Sequence, residues 1–193
     1  MINLKAMVII LIVFLSVKIL YTQNYSVERI LAYNSDIIIK EDASMIVHET
    51  IKVHSEGDQI KRGIYRDFPT RYKDKYGNNV VINFDIIEIL KDGLAESYHT
   101  EILSDGLRVY IGKKDHFLDR GNYTYEIKYK TERQIGYFDN HDELYWNVTG
   151  NGWDFAIEQV TVSVHFPRNI SPDDINIDAF TGFQSSTQKD FRI

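Results

Sequence analysis

Two segments of this 193-residue chain concentrate the side chains that could do chemistry. The first, called here the arginine segment, spans residues 61–72 and has the sequence KRGIYRDFPTRY. The second, the tryptophan segment, spans residues 138–153, has the sequence FDNHDELYWNVTGNGW and contains both tryptophans of the protein. Turn-forming residues beside concentrated aromatic rings indicate either a shaped binding site or a demanding corner of the fold.

The arginine segment could bind an anion, because guanidinium groups bind carboxylate or phosphate in pairs of hydrogen bonds and stack on aromatic rings. Its candidate binding residues are Arg62, Arg66, Asp67 and Arg71, with Tyr65, Phe68 and Tyr72 between them. The alternative is structural: a loop crosses between sheets, and the neighbourhood of Arg66 and Asp67 fixes it. We favour this alternative, because a proline-containing loop between strands often needs such anchors.

The tryptophan segment allows three interpretations. Its candidate binding residues are Asp139, His141, Asp142, Glu143, Trp146 and Trp153. The acids could hold a hard cation such as calcium, but they lack the regular spacing of a calcium loop. Asp142 and Glu143 could form the acid–base pair of a glycoside hydrolase, which requires a defined separation between the two carboxylates. The structural alternative is a turn whose Asp and Asn side chains bind backbone donors, followed by a strand through residues 144–146.

Several classes of function find no support in the sequence. The chain has no cysteine, which excludes disulfides, thiolate metal sites and a cysteine nucleophile. The histidines lack metal-ligand spacing, and no serine-hydrolase, zinc-protease or P-loop motif occurs. The net charge is -6 and no basic stripe is present, so nucleic acid is not an expected partner. We therefore predict no catalytic residue, no metal and no cofactor.

Apolar and polar residues alternate with a period of two through most of the chain after residue 25, which predicts strands. Residues 45–53 contain one exception, Glu49, which interrupts this pattern. The predicted strands include residues 28–39, 45–53, 80–90, 98–103, 107–111, 121–130, 160–166 and 175–180. The first and second of these form one predicted hairpin, and the fourth and fifth form another. The sequence thus predicts an all-β fold, an antiparallel, immunoglobulin-like β-sandwich.

Residues 1–23 are expected to be a signal peptide or an N-terminal membrane anchor. Lys5 precedes an apolar run over residues 6–15, which is shorter than the roughly 20 residues of a membrane span. A cleavage site is hard to find near residues 21–23, so an uncleaved anchor and a buried strand stay open as alternatives. Residues 25–193 then form one domain, which we expect to be truncated at its C-terminus.

The two segments together resemble signatures of the DUF2207 family of predicted membrane proteins. The resembling stretches are residues 63–72 and 139–154, and the match extends from about residue 30 to residue 166. The resemblance implies an extracytoplasmic β domain that follows a signal or anchor and precedes transmembrane helices. It implies no catalytic residue.

These observations predict an exported domain at the cell envelope that binds a membrane or envelope protein, a peptide or a glycan. The arginine and tryptophan segments are predicted to meet in space and to form the binding surface. The alternatives are an envelope glycan hydrolase that uses Asp142 and Glu143, and a purely structural domain of a membrane assembly.

Overall fold

The computed structural model of the protein describes residues 7–13, for which it gives the backbone, and residues 27–73, 76–182 and 186–193. Within these ranges the chain forms fifteen strands and one short 3-10 turn at Pro172–Asp174. The strands are β1 (Met7–Val13), β2 (Arg29–Ile39), β3 (Met45–Ser55), β4 (Gly63–Phe68), β5 (Arg71–Lys73), β6 (Asn79–Val81), β7 (Phe84–Lys91), β8 (Leu94–Ala95), β9 (Tyr98–Ile102), β10 (Leu107–Gly112), β11 (Gly121–Thr131), β12 (Ile135–Tyr137), β13 (Asp142–Asn147), β14 (Val160–His165) and β15 (Ile175–Thr181).

The strands form four sheets, which confirms the predicted all-β fold. The largest sheet has the order β14-β2-β3-β11-β7-β8, and the others have the orders β12-β13-β1-β15, β4-β10-β9 and β5-β6. Most ladders are antiparallel, as predicted. Three are parallel, which the sequence did not reveal: β14 pairs with β2, and β1 pairs with both β13 and β15. The immunoglobulin-like topology stays a prediction.

Both predicted hairpins are present, whereas two local expectations were wrong. Residues 80–90 form two strands instead of one, because the N–H of buried Ile82 donates to Thr70 O at 2.9 Å and draws the chain away from the ladder. The first half of the arginine segment is strand β4 and not a loop. Every second residue of β4 points inward, starting at Ile64, and the strand pairs with β10.

The core lies between the largest sheet and the smaller sheets that cover one of its faces. The largest sheet contributes Tyr33, Ile37, Val47, Ile51, Tyr125, Ile127 and Tyr129, all fully buried. The smaller sheets contribute Ile64, Phe68, Val109, Ile111 and Leu144. The arginine segment therefore belongs to the layer that packs over the largest sheet, and its inward side chains reach that sheet's buried face.

The expectation of a signal peptide or anchor concerns residues that are mostly outside the described ranges. Lys5 and the region of residues 21–23, where a cleavage site was sought, both lie outside them. The backbone of Met7–Val13 forms a strand between β13 and β15. The targeting role of residues 1–23 stays a prediction.

A buried carboxylate, Glu28, holds the loop that follows β3. Its Oε1 accepts the backbone N–H groups of Glu56 and Asp58 at 2.9 and 3.1 Å, and its Oε2 accepts those of Gln59 and Ile60 at 2.7 and 3.1 Å. Burial raises the pKa of the Glu28 carboxyl, but the four donors lower it by more, so its pKa lies below the ordinary value of 4.5.

Glu28→Gln is expected to lower the free energy of unfolding at neutral pH by about 1–3 kcal/mol, because four charge-assisted bonds weaken. Since the pKa of Glu28 is lowered by folding, its stabilisation is present above pH 4.5 and is lost as the pH falls through the folded-state pKa. Urea denaturation of both proteins at several pH values should show their difference shrinking below pH 4.5. A difference that stays constant in acid would contradict this role.

Candidate functional site

A buried ion pair joins the arginine segment to the largest sheet. Arg66 on β4 donates from Nε to Glu49 Oε2 and from Nη2 to Glu49 Oε1, both at 3.0 Å. Arg66 is 3% exposed and Glu49 is fully buried. Glu49 was visible in the sequence as the exception in β3, and it occupies an inward position there because Arg66 faces it.

Two buried tyrosines complete this cluster. Arg66 Nε donates to the Tyr33 hydroxyl at 3.1 Å, and the Tyr129 hydroxyl donates to Glu49 Oε1 at 2.8 Å. Burial and the nearby Glu49 carboxylate raise the pKa of both phenols well above 10. Burial lowers the pKa of Arg66, but Glu49 outweighs that effect and holds it above its ordinary value. The tyrosines therefore stay neutral and the guanidinium stays charged. We call these four residues the buried quartet.

The arginine and tryptophan segments meet at the buried quartet, as predicted. Arg66 Nη2 lies 3.5 Å from its acceptor Val148 O, and a side chain added at Gly150 would overlap Arg66 Nη1. The Tyr65 hydroxyl donates to Gly152 O at 3.4 Å. Backbone atoms of the tryptophan segment thus pack directly on the guanidinium.

The turn of residues 147–153, which follows β13, is held by its own side chains. Asn147 Oδ1 accepts the Gly150 N–H at 3.0 Å, and Trp153 Nε1 donates to Thr149 O at 2.7 Å. Gly150 has a positive φ of 71°, which favours glycine. The Trp153 ring packs edge-on against Tyr33, with centroids 6.5 Å apart. Trp153 is therefore part of the joint between the segments.

Asp67 takes a different partner from its neighbour Arg66. Arg108 on β10 donates from Nε and Nη2 to the two Asp67 carboxylate oxygens at 2.6 and 2.7 Å. Its guanidinium also lies over the Tyr65 ring, 4.1 Å from the centroid. The bonds to Asp67 raise the pKa of Arg108 above its ordinary value. The sequence did not single out Arg108, because an isolated arginine on an alternating strand carries no local signal.

A cavity of about 270 Å³ opens beside the joint, and we call it the groove. Its walls include Phe68, Arg71, Tyr72, Arg133, Gln134, Tyr145, Trp146 and Asn147. Arg71 and Arg133 are exposed, and neither forms an ion pair within the described residues. The groove thus brings Arg71 and Trp146, one candidate from each segment, to a single aromatic-walled surface with two available cations.

The acids of the tryptophan segment do not belong to the groove. Asp142 and Asn147 are at opposite ends of β13, about 16 Å apart at the usual rise per residue. Asp139 is exposed, and the His141 ring stacks on Phe138 with centroids 4.7 Å apart. His141 Nε2 lies 3.8 Å from Glu143 Oε2. These residues form a separate surface.

The proposed acid–base pair does not have the geometry of a glycosidase. Asp142 and Glu143 are consecutive residues of a strand, so their side chains point to opposite faces. Asp142 is 3% exposed, whereas Glu143 is half-buried. Two catalytic carboxylates must face one cleft, and these two do not. Among the residues that the structure describes, no group of three or more His, Asp or Glu could hold a metal ion.

Arg62 also lies apart from the joint. It stacks on the exposed ring of Phe117, with the guanidinium carbon 4.3 Å from the ring centroid, and it lines a different, open concavity. The sequence therefore located the joint correctly, but only Arg66, Asp67, Arg71, Trp146 and Trp153 contribute to it or to the groove.

The family model described as "Predicted membrane protein (DUF2207) N-terminal domain" matches residues 29–192. This chain belongs to the DUF2207 family. A curated relative, the uncharacterized protein YciQ of Escherichia coli strain K12, is 30% identical over 166 residues, which is 86% of this chain. The match covers 26% of YciQ, so this DUF2207 chain spans about a quarter of that relative.

Two solved structures resemble the DUF2207 chain weakly. Native yeast LTA4 hydrolase is 11% identical with a TM-score of 0.48, and the match covers 76% of this chain and 26% of that one. A mutant M1 zinc metallopeptidase of Deinococcus radiodurans is 9% identical with a TM-score of 0.32, over 56% and 21% of the two chains. Neither likeness carries a conclusion. No helix in the described part of the chain is long and apolar enough to cross a membrane.

Proposed function

We propose that this DUF2207 domain is an exported binding module at the cell envelope, and that its groove binds an acidic, extended peptide segment of a membrane or envelope protein. The observation that carries the proposal is the pair of exposed guanidinium groups, Arg71 and Arg133, in one aromatic-walled cavity. An arginine without an acidic partner is available to bind a carboxylate in bidentate fashion.

The aromatic walls favour a ligand with flat or apolar parts beside its acids. Tyr72 and Tyr145 are 46% and 56% exposed, so their rings present contact area at the mouth of the groove. Such rings supply a large contact surface and lose little conformational entropy on binding. Ligand pockets commonly combine apolar walls with a few well-placed polar groups, which is the composition seen here.

An unpaired strand edge favours a peptide over a glycan. Within the described residues β12 pairs only with β13, so its other edge is open, and Arg133 and Gln134 of the groove lead directly into it. An extended peptide can add to such an edge through main-chain hydrogen bonds. Tyr137 and Phe138, at the end of β12, are 58% and 55% exposed and would meet its side chains.

The purely structural alternative accounts for the buried quartet but not for the groove. Arg66, Glu49, Tyr33 and Tyr129 bind one another, and their role is to hold two layers together. A structural domain has no need of a cavity beside that joint whose walls carry two arginines that form no ion pair within the described ranges. The quartet is therefore interpreted as the rigid support of the groove.

The test is a titration of the full-length chain, in detergent micelles, with the peptide Ac-Glu-Tyr-Glu-Tyr-Glu-NH₂. The double variant R71A/R133A is expected to bind it at least about a hundredfold more weakly, since each of the two lost charge-assisted contacts is worth about 1.5–3 kcal/mol. The matched control is R168A/R192A, which removes two exposed arginines that do not line the groove. Equal affinities in all three proteins, or binding of an oligogalacturonide in preference to the peptide, would contradict the proposal.

A further inference from the structure

A second feature of the chain lies at the end of the β4–β10 ladder. Four cations, Lys61, Arg62, Lys113 and Lys114, line one open concavity of about 710 Å³, and we call them the basic face. All four are exposed, and none forms an ion pair within the described residues. The protein has a net charge of -6, so this cluster gives one part of its surface the opposite charge.

Two facing glycines let the backbone form the floor of this face. Gly63 and Gly112 are cross-strand partners with φ of 143° and 138°. A side chain on Gly63 would overlap Ile111 O, and one on Gly112 would overlap Arg62 O. The loop after β10 is held close as well, because the Leu118 N–H donates to Lys61 O at 2.8 Å. The backbone thus gathers cations from two loops onto one surface.

An exposed aromatic ring stands among these charges. Phe117 is 61% exposed, and Arg62 lies over its ring. Next to it, Leu118 is 8% exposed and anchors the loop in the core. A ring held outward beside cations is the arrangement that peripheral proteins use at a bilayer interface.

The N-terminal end of the family domain adjoins the basic face. Glu28, just before β2, binds four N–H groups of residues 56–60, and Lys61 and Arg62 follow that loop directly. The first described residues of the family domain therefore lie next to this surface. The family is described as predicted membrane proteins, so an anionic bilayer is a surface that the basic face can meet.

From these observations we infer that the basic face rests on the anionic headgroups of a phospholipid bilayer, with Phe117 at the interface. Lipid phosphates can form ion pairs with the four cations. Each Lys or Arg near an anionic membrane surface strengthens attachment. Glu96, whose carboxylate interacts electrostatically with Lys113, is paired with Lys91 at 3.1 Å and is not an ion-pair partner of the four cations. The inference does not depend on the groove or its ligand.

The absence of cysteine makes a site-specific test possible. A fluorophore attached to H116C, beside Phe117, would report contact with lipid in the full-length chain bound to vesicles that carry a nitroxide-labelled lipid. A label at N140C in the tryptophan segment is the control position. Because the N-terminal segment is present in every sample, its own effect on quenching is the same in both lipid mixtures and in every variant.

Quenching at residue 116 is expected to be stronger in vesicles of phosphatidylcholine with phosphatidylglycerol than in pure phosphatidylcholine, while quenching at residue 140 is the same in both. The variant K61E/R62E/K113E/K114E should reduce that contact at least about tenfold, since each cation contributes separately. The variant K40E/K52E/K73E/K128E, which changes four other exposed lysines, should retain it. Equal quenching at both positions would overturn the inference. So would quenching at residue 116 that does not depend on lipid charge, or that the first variant does not reduce.

Discussion

Glu49→Leu is expected to lower the free energy of unfolding by about 3–5 kcal/mol, which is the largest effect that we anticipate for a single substitution in this domain. The change leaves the Arg66 guanidinium buried without its carboxylate, and it removes the acceptor of the Tyr129 hydroxyl. A buried charge without a partner costs far more than an exposed one. Urea denaturation followed by circular dichroism measures the change.

The double variant Glu49→Leu with Arg66→Met identifies the source of that cost. If the cost arises from an orphaned charge, the double variant should be less destabilised than the sum of the two single variants by at least about 2 kcal/mol. Arg108→Met is the control, because its pair with Asp67 is partly exposed and should cost only about 1 kcal/mol. Additive effects at residues 49 and 66 would contradict the account of the quartet.

Gly150→Ala should also be strongly destabilising. The added methyl group would overlap Arg66 Nη1, and the guanidinium cannot move away freely because Glu49 holds it in two places. The positive φ of 71° adds backbone strain for any residue with a side chain. We expect a loss of about 2–4 kcal/mol in the free energy of unfolding, measured by the same denaturation.

Gly93→Ala is the matched control for Gly150→Ala. Gly93 has a φ of 77°, close to that of Gly150, but an added side chain there would find nothing within 4 Å. It carries the same backbone strain without the collision, so its cost should stay near 1 kcal/mol. Similar losses at both glycines would show that Arg66 is not pressed against residue 150.

The strands could be predicted well because period-two alternation is local. The sheet order could not, since parallel pairs such as β14 with β2 join segments far apart in the sequence. The split of residues 80–90 was hidden for the same reason. It depends on one hydrogen bond from Ile82 to Thr70, a long-range contact that no pattern within the strand reports.

For the candidate site, the two segments that meet could be predicted from the sequence, but the role of each residue within them could not. The acidic residue Glu49 at an inward strand position correctly indicated a buried partner. No local sequence pattern, however, identified Arg66 as that partner. Tyr33 and Tyr129 read as ordinary apolar strand positions, because a buried phenol follows the same alternation as an isoleucine. The acids were assigned to the site from their proximity in sequence, whereas the length of β13 carries Asp142 to the far end of the strand.

The two segments form a joint, and the groove beside it is the proposed binding site. The two tryptophans separate these roles. Trp153 donates its indole N–H to Thr149 O inside the joint, whereas Trp146 lines the groove and its Nε1 has no hydrogen-bond partner within the described residues. A protein with two tryptophans gives two indole N–H resonances, one for each role.

The most direct measurement is a titration of the ¹⁵N-labelled protein with Ac-Glu-Tyr-Glu-Tyr-Glu-NH₂, with the indole resonances assigned through Trp146→Phe. We expect the Trp146 resonance to move with a saturable dependence on peptide concentration while the Trp153 resonance stays in place. R71A/R133A should abolish the movement over the same concentration range. Movement of Trp153 alone, movement of neither resonance at saturating peptide, or an unchanged titration in R71A/R133A would contradict the proposal.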